Sequence, residues 1–294
     1  MPEECVAPID SKRYTVIHRR GNRQPLFWVQ AALVQAKVLQ EIDREQPVYC
    51  LYRLRPDPDK PSLTFQEIAA YHIETMRSLR PHGPYALAGY CVCAGIVFEM
   101  ACQLRAQGEA VSALILIDPL DLAVSGADVI QEPAFFRLRF NFHRLAFHLH
   151  KTSQYSAGEK FAYWMKGAKL IAGRLKSSLS RRSSETGSDT TRALPQHELL
   201  DVHDSDMYGF HRWVPQPYAD SAIVLRPAVS PAHAYDYPNR RWAKLIAGEA
   251  DVQSVPGDSD SMWLLPDAAG MARIIDSCMI RSQRILMSGC SSGN

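Results

Sequence analysis

Six short runs of apolar residues set the pattern of the chain: Pro25–Val29, Pro47–Tyr52, Tyr85–Ala88, Val111–Ile117, Ser221–Leu225 and Asp251–Val255. Runs this short, apolar at nearly every position, predict parallel strands buried on both faces. Helical periodicity lies between them. Phe65, Ile68, Ala69, His72, Ile73, Met76 and Leu79 recur at spacings of three and four. Ser62 is placed to cap this helix, and Pro81 with Gly83 ends it. Ile96, Val97, Met100, Ala101 and Leu104 form a second stripe, stopped by Gly108. A last helix is predicted from Asp267 to about Ser282. Strands alternating with helices predict right-handed βαβ units and a mostly parallel, doubly wound α/β sheet.

The middle of the chain breaks this alternation. From about Ala134 to Leu179 the pattern is helical and amphipathic, and Ser177 to Thr191 is rich in Ser and Thr. The expected organisation is a leader over residues 1–22, a core over 23–121 and 216–283, a helical lid insertion over 122–215, and a disordered tail over 284–294. Phe135, Phe136, Phe140, Phe142 and Phe147 suit either an acyl tunnel or plain helix packing, and packing is the commoner use of such spacing. Lys166, Lys169, Arg174, Lys176, Arg181 and Arg182 make a basic stretch that reads first as a solvated helix face. An acidic partner would also be drawn to it.

Composition narrows the function. The formal net charge is +2, too close to zero to point to nucleic acid or another polyanion. No apolar run approaches the roughly 20 residues that span a bilayer, and the first residues carry no apolar signal core. The expectation is a soluble cytoplasmic protein, and Met1 with a short leader suggests a free-standing one. Seven cysteines, with no CxxC pair, suit neither a disulfide framework nor a zinc site. His143, His148 and His150 lack a Cys or carboxylate at ligand spacing and belong to an amphipathic face. No metal or cofactor is expected.

Chemistry concentrates at Gly89-Tyr90-Cys91-Val92-Cys93. A small-x-nucleophile-x-small turn between strand and helix is the sequence form of a nucleophile elbow. It exposes a side chain above the C-terminal sheet edge, at the N-terminus of the next helix. The free N–H groups there favour a thiolate and a developing oxyanion. The alternative is an ordinary buried strand end. Asp118 closes the next apolar run, at the edge where ligands gather in open parallel sheets.

These residues resemble a known family. The block Gly83-Pro-Tyr-Ala-Leu-Ala-Gly-Tyr-Cys91, the helix Phe98–Glu109 and Leu-Ile-Asp118 are similar to the thioesterase domains of polyketide and nonribosomal peptide synthesis. Pro25-Leu-Phe-Trp28, Gln46-Pro-Val-Tyr49, Pro217-Tyr218 and Val255-Pro-Gly-Asp258 extend the likeness across most of residues 24–280. The resemblance implies the α/β-hydrolase fold and an enzyme that moves a carrier-bound acyl chain onto a Ser or Cys. Release then goes to water, an amine, an alcohol or an internal carbanion. By the same resemblance Cys91 is the nucleophile and Asp118 the triad acid. The partner implied is an acyl or peptidyl carrier protein with a phosphopantetheine-linked acyl group.

Two positions depart from the family. Where it has a late His as general base, this chain has Ser259, in Pro256-Gly-Asp-Ser259. The first loop, Val29-Gln-Ala-Ala-Leu33, carries no glycine, so the oxyanion donors expected are the N–H of Val92 and that of Gln30 or Ala31. His233 follows the Ser221–Leu225 run and is a candidate replacement base or an ordinary loop His. Loss of the base costs a hydroxyl nucleophile more than a thiol, since a thiol ionises more readily. The pattern therefore predicts slow hydrolysis, or transfer to a nucleophile reactive in its own right. The alternative function is a catalytically impaired protein that binds a carrier or an acyl group.

Overall fold

The computed structural model describes residues 13–30, 35–54, 63–120, 212–229, 242–259 and 261–291, with scattered positions between 149 and 168. Seven strands form one sheet: β1 (Tyr14–Ile17), β2 (Leu26–Val29), β3 (Val48–Leu51), β4 (Tyr85–Tyr90), β5 (Val111–Ile117), β6 (Ala222–Pro227) and β7 (Ala250–Val255). Their spatial order is β1-β3-β2-β4-β5-β6-β7. The β1–β3 pair is antiparallel and every other pair is parallel.

Each of the six apolar runs becomes a strand; these strands are covered on both faces except β7, at the end of the order, where only Val255 is buried. Phe27, Val29, Tyr85, Leu87, Leu114 and Leu116 enter one buried cluster, with α2 (Phe65–Leu79) and α3 (Val92–Ala106). Leu26, Trp28, Ala86, Ala88, Ala113 and Ile115 alternate into the other, with α1 (Ala36–Glu41) and α4 (Asp267–Ser291). Period-two alternation with both faces apolar leaves no polar face in the sequence.

Several boundaries differ from expectation. β1 falls inside the stretch expected to be leader: it is four residues long and finds its partner, β3, more than thirty residues later. The cap of α2 is Thr64, not Ser62. The Thr64 hydroxyl accepts from the Glu67 N–H, and the Glu67 carboxylate accepts from the Thr64 N–H, completing a capping box. Helix α4 continues to Ser291, past the expected end near Ser282 and into the stretch expected to be a disordered tail. The chain divides into two compact units, residues 1–132 with 202–294, and residues 133–201. The expected lid over 122–215 lies almost wholly outside the described residues, as do its Phe, His and basic clusters.

Gly89 sets the spacing of β4 against α3. A Cβ there would stand 2.5 Å from the Cys93 carbonyl oxygen and 3.0 Å from Val97 Cγ2. Both neighbours belong to the buried first turns of α3, so the helix has nowhere to yield. Gly89→Ala is expected to cost about 3 kcal/mol, in the range of overpacked cores. A denaturant midpoint unchanged to within about 0.5 kcal/mol would show a looser junction.

Candidate active site

The sheet register brings four strand ends to one edge. Tyr90 pairs with Ile117, and Ile117 pairs with Leu225. The residues that follow, Cys91, Asp118 and Arg226, therefore stand side by side at the C-terminal ends of β4, β5 and β6. The ladder continues through them: the Cys91 N–H donates to Ile117 O at 2.9 Å and the Asp118 N–H to Leu225 O at 2.7 Å. On the other side Trp28 pairs with Ala88, so Gln30, the residue after β2, stands level with Tyr90.

Three of these residues hold left-handed backbone without being glycine: Gln30 (φ 54°), Cys91 (φ 55°) and Asp118 (φ 39°). Such conformations cost of order 1–3 kcal/mol and persist where the surroundings impose them. At Cys91 the angles are φ 55°, ψ −118°, and helix α3 begins at the next residue. This is the geometry of a nucleophile elbow. The Val92 N–H lies at the Cys91 side chain, where it favours the ionised sulfur.

The thiol is not ready-ionised. Burial pushes Cys91 up to about 11; the Val92 N–H lowers it, the Asp118 charge raises it and the Arg226 charge lowers it. The sequence leads one to expect a thiolate favoured by the helix N-terminus. Desolvation outweighs the helix here, because one amide and one partly neutralised cation replace bulk water around the sulfur.

Asp118 has both oxygens engaged. Arg226 Nη1 donates to Oδ1 at 2.8 Å, and Ser259 Oγ donates to Oδ2 at 2.9 Å. Ser259 thus stands in contact with the carboxylate, as a triad base would. A hydroxyl that has given its proton to Asp118 accepts a hydrogen bond but takes no proton near neutral pH. The Arg226 side chain is 5% exposed and that of Asp118 is 17% exposed. Removing one member of such a pair leaves a largely buried charge, so Arg226→Met is expected to destabilise the fold by about 3 kcal/mol. A urea melt checks this, and an unchanged midpoint would mean solvent already screens the pair.

The loop carrying Ser259 is fixed from both sides. Gly257 has φ +84°, and a Cβ there would collide with the Asp267 carboxylate and the Ser261 hydroxyl. The Asp258 N–H donates to Ser261 Oγ and the Ser261 N–H to Asp258 Oδ1, each at 2.9 Å. Behind the loop, Trp263 packs edge-on against Tyr90, their ring centroids 4.6 Å apart. That contact ties the late loop to the residue before the nucleophile.

Of the residues read from sequence, Cys91, Val92, Asp118 and Ser259 come together. The Gln30 N–H does not serve as an oxyanion donor, because it donates to Leu51 O at 2.9 Å and extends the β2–β3 ladder. Ala31 and His233 lie outside the described residues. Arg226 escaped the sequence reading, although an Arg ending the apolar run Ser221–Leu225 was a visible signal. Among the described residues no group of three or more His, Cys, Asp or Glu is placed to hold a metal ion. No described helix is long and apolar enough to cross a membrane.

A mostly parallel sheet with a nucleophile elbow at the end of a central strand defines an α/β-hydrolase. Residues 24–127 match the family model for the thioesterase domain. Over 117 residues the chain is 33% identical to the nonribosomal peptide synthetase apvA of Aspergillus terreus, covering 38% of this chain and 12% of that protein. The chain thus corresponds to a small part of that relative's length. Among solved structures, a four-domain nonribosomal peptide synthetase bound to AMP and glycine superposes with a TM-score of 0.58 at 20% identity, covering 89% of this chain and 20% of that one. The NocB thioesterase domain gives a TM-score of 0.55 at 17% identity, covering 90% of this chain and 99% of the other. Over residues 24–127 the chain is similar in sequence to the thioesterase domain family, and over most of its length it shares the fold of those solved proteins.

Proposed function

We propose that this protein takes an acyl chain from a carrier-bound thioester onto Cys91 and passes it to an acceptor other than water. The observation that carries the reading is the elbow: a strained Cys91 with the Val92 N–H on its side chain. Attack of the sulfur on the thioester carbonyl forms a new thioester and expels the carrier thiol. The proton leaving Cys91 goes to that thiol, so acylation consumes no external base. The exchange is near thermoneutral, one thioester for another.

Deacylation separates the acceptors. Water must lose a proton as it attacks, and Ser259 cannot take it. The unprotonated fraction of an amine attacks without prior deprotonation and gives up its proton to the departing sulfur only after the C–N bond has formed, and an internal carbanion brings its own electron pair. Both bypass the missing step, which supports acyl transfer or cyclisation over hydrolysis. An acyl or peptidyl carrier protein is the natural donor, because the relatives are peptide and polyketide synthases. The solution setting that suits this chemistry is the cytoplasm.

The test offers an acyl-N-acetylcysteamine thioester and weighs the intact protein. An adduct equal to the acyl group, absent from Cys91→Ala, is expected. Its slow loss in buffer should quicken on adding a primary amine. Absence of any adduct on the unaltered protein would sink the enzymatic reading and favour a binding role.

A further inference from the structure

The N–H of Val92 is the expected first oxyanion donor; of the two backbone candidates for the second, the Gln30 N–H is engaged in the sheet and Ala31 lies outside the described residues. We propose that the Gln30 side-chain amide supplies it, so that Nε2–H of Gln30 and the Val92 N–H together hold the oxyanion formed at Cys91. This deepens the acyl-enzyme reading and rests on it.

Four observations converge on Gln30. It directly follows β2, the strand beside β4, level with Tyr90 and one residue short of the nucleophile. Neighbouring strands lie about 4.8 Å apart, so its side chain starts within reach of the reacting carbonyl. Its backbone is turned to φ 54°, which ends the strand and redirects the side chain. Its Oε1 is held by Cys93 Sγ at 3.3 Å, in the first turn of α3, so the amide plane is fixed against the helix that follows Cys91. Its Nε2 is buried and makes no hydrogen bond among the described residues. A buried amide nitrogen without a partner costs about 1–3 kcal/mol, a cost removed if a reacting oxygen becomes its partner.

The step balances simply. The sulfur forms a bond to the carbonyl carbon and the C=O π pair moves to oxygen. That oxygen accepts from Val92 N–H and Gln30 Nε2–H. Collapse restores C=O and breaks the bond to the leaving thiol, which takes the proton that Cys91 lost. The donors act only while the charge exists, which places their effect on the rate of acylation and not on substrate binding.

Two reactions at the same sulfur separate this role from a structural one. Acylation by an acyl thioester passes through an oxyanion; alkylation by iodoacetamide does not. Gln30→Ala is expected to lower the single-turnover acylation rate about 100- to 1000-fold, as for loss of one oxyanion donor. The substrate concentration giving half-maximal rate should hold, and the alkylation rate should stay within about twofold. Gln30→Glu, which keeps the size and replaces the donor with a carboxylate, should impair acylation at least as much. If both reactions slow together, Gln30 only positions Cys91 and the proposal is overturned; if neither slows, it is overturned too. If the unaltered protein is alkylated but never acylated, the acyl-enzyme reading itself fails.

Discussion

Ser259→His is expected, on the proposed acyl-enzyme reading, to raise hydrolysis of an acyl group on Cys91 about 10²- to 10⁴-fold. The receiving geometry is already present. Asp118 Oδ2 accepts from the residue at 259, and Arg226 holds the other oxygen. An imidazole at 259 would place Nδ1–H on Oδ2 and leave Nε2 facing the nucleophile, the arrangement of a Ser-His-Asp site. The Asp258–Ser261 hydrogen bonds and the Tyr90–Trp263 contact keep the loop in register while the side chain changes. The measurement is the lifetime of the acyl-enzyme by intact mass, together with steady release of free acid. A folded Ser259→His variant that acylates normally yet hydrolyses no faster would show that something other than the base limits water.

Cys91 should react with iodoacetamide about 1000-fold faster at pH 10 than at pH 7. The thiol lies at about 11, so below that value the thiolate fraction rises tenfold per pH unit. At pH 7 only about one molecule in 10⁴ carries the thiolate. The sign follows from burial, which favours the neutral form, against a weaker pull from Val92 N–H and Arg226. Such a thiolate is a strong nucleophile when it forms, which offsets part of its scarcity. Peptide mass spectrometry distinguishes Cys91 from Cys50 and Cys102, which burial pushes to about 12. A rate already at its plateau by pH 8 would mean that the helix N-terminus prevails over desolvation after all.

The sequence carried the strands of the core because continuous apolar runs have one common use in an α/β chain. It carried Cys91 and Asp118 because each ends such a run, and position in the run fixes position at the sheet edge. It missed β1, since Tyr14–Ile17 is four residues with only Tyr14 buried, and its pairing with β3 is non-local. It misjudged the ionisation of Cys91, because helix polarity is visible in a sequence while desolvation depends on packing from several elements. It offered the N–H of Gln30 or of Ala31 as a donor, and nothing local reveals that the Gln30 N–H extends a ladder to Leu51. Arg226 became meaningful only when register set it beside Asp118.

The edge-on contact of Tyr90 with Trp263 has a consequence for local unfolding. Trp263 is buried at the head of α4, and Tyr90 precedes the strained turn. Opening the late loop therefore uncovers one face of the elbow, where strain already favours relaxation. The two segments are expected to open as one cooperative unit, read as a shared opening free energy for the amide protons of Val92 and of residues 261–263. The late loop and the first turn of α3 should then open or hold together, while the Cys91 N–H, held by Ile117 O, keeps the protection of the sheet.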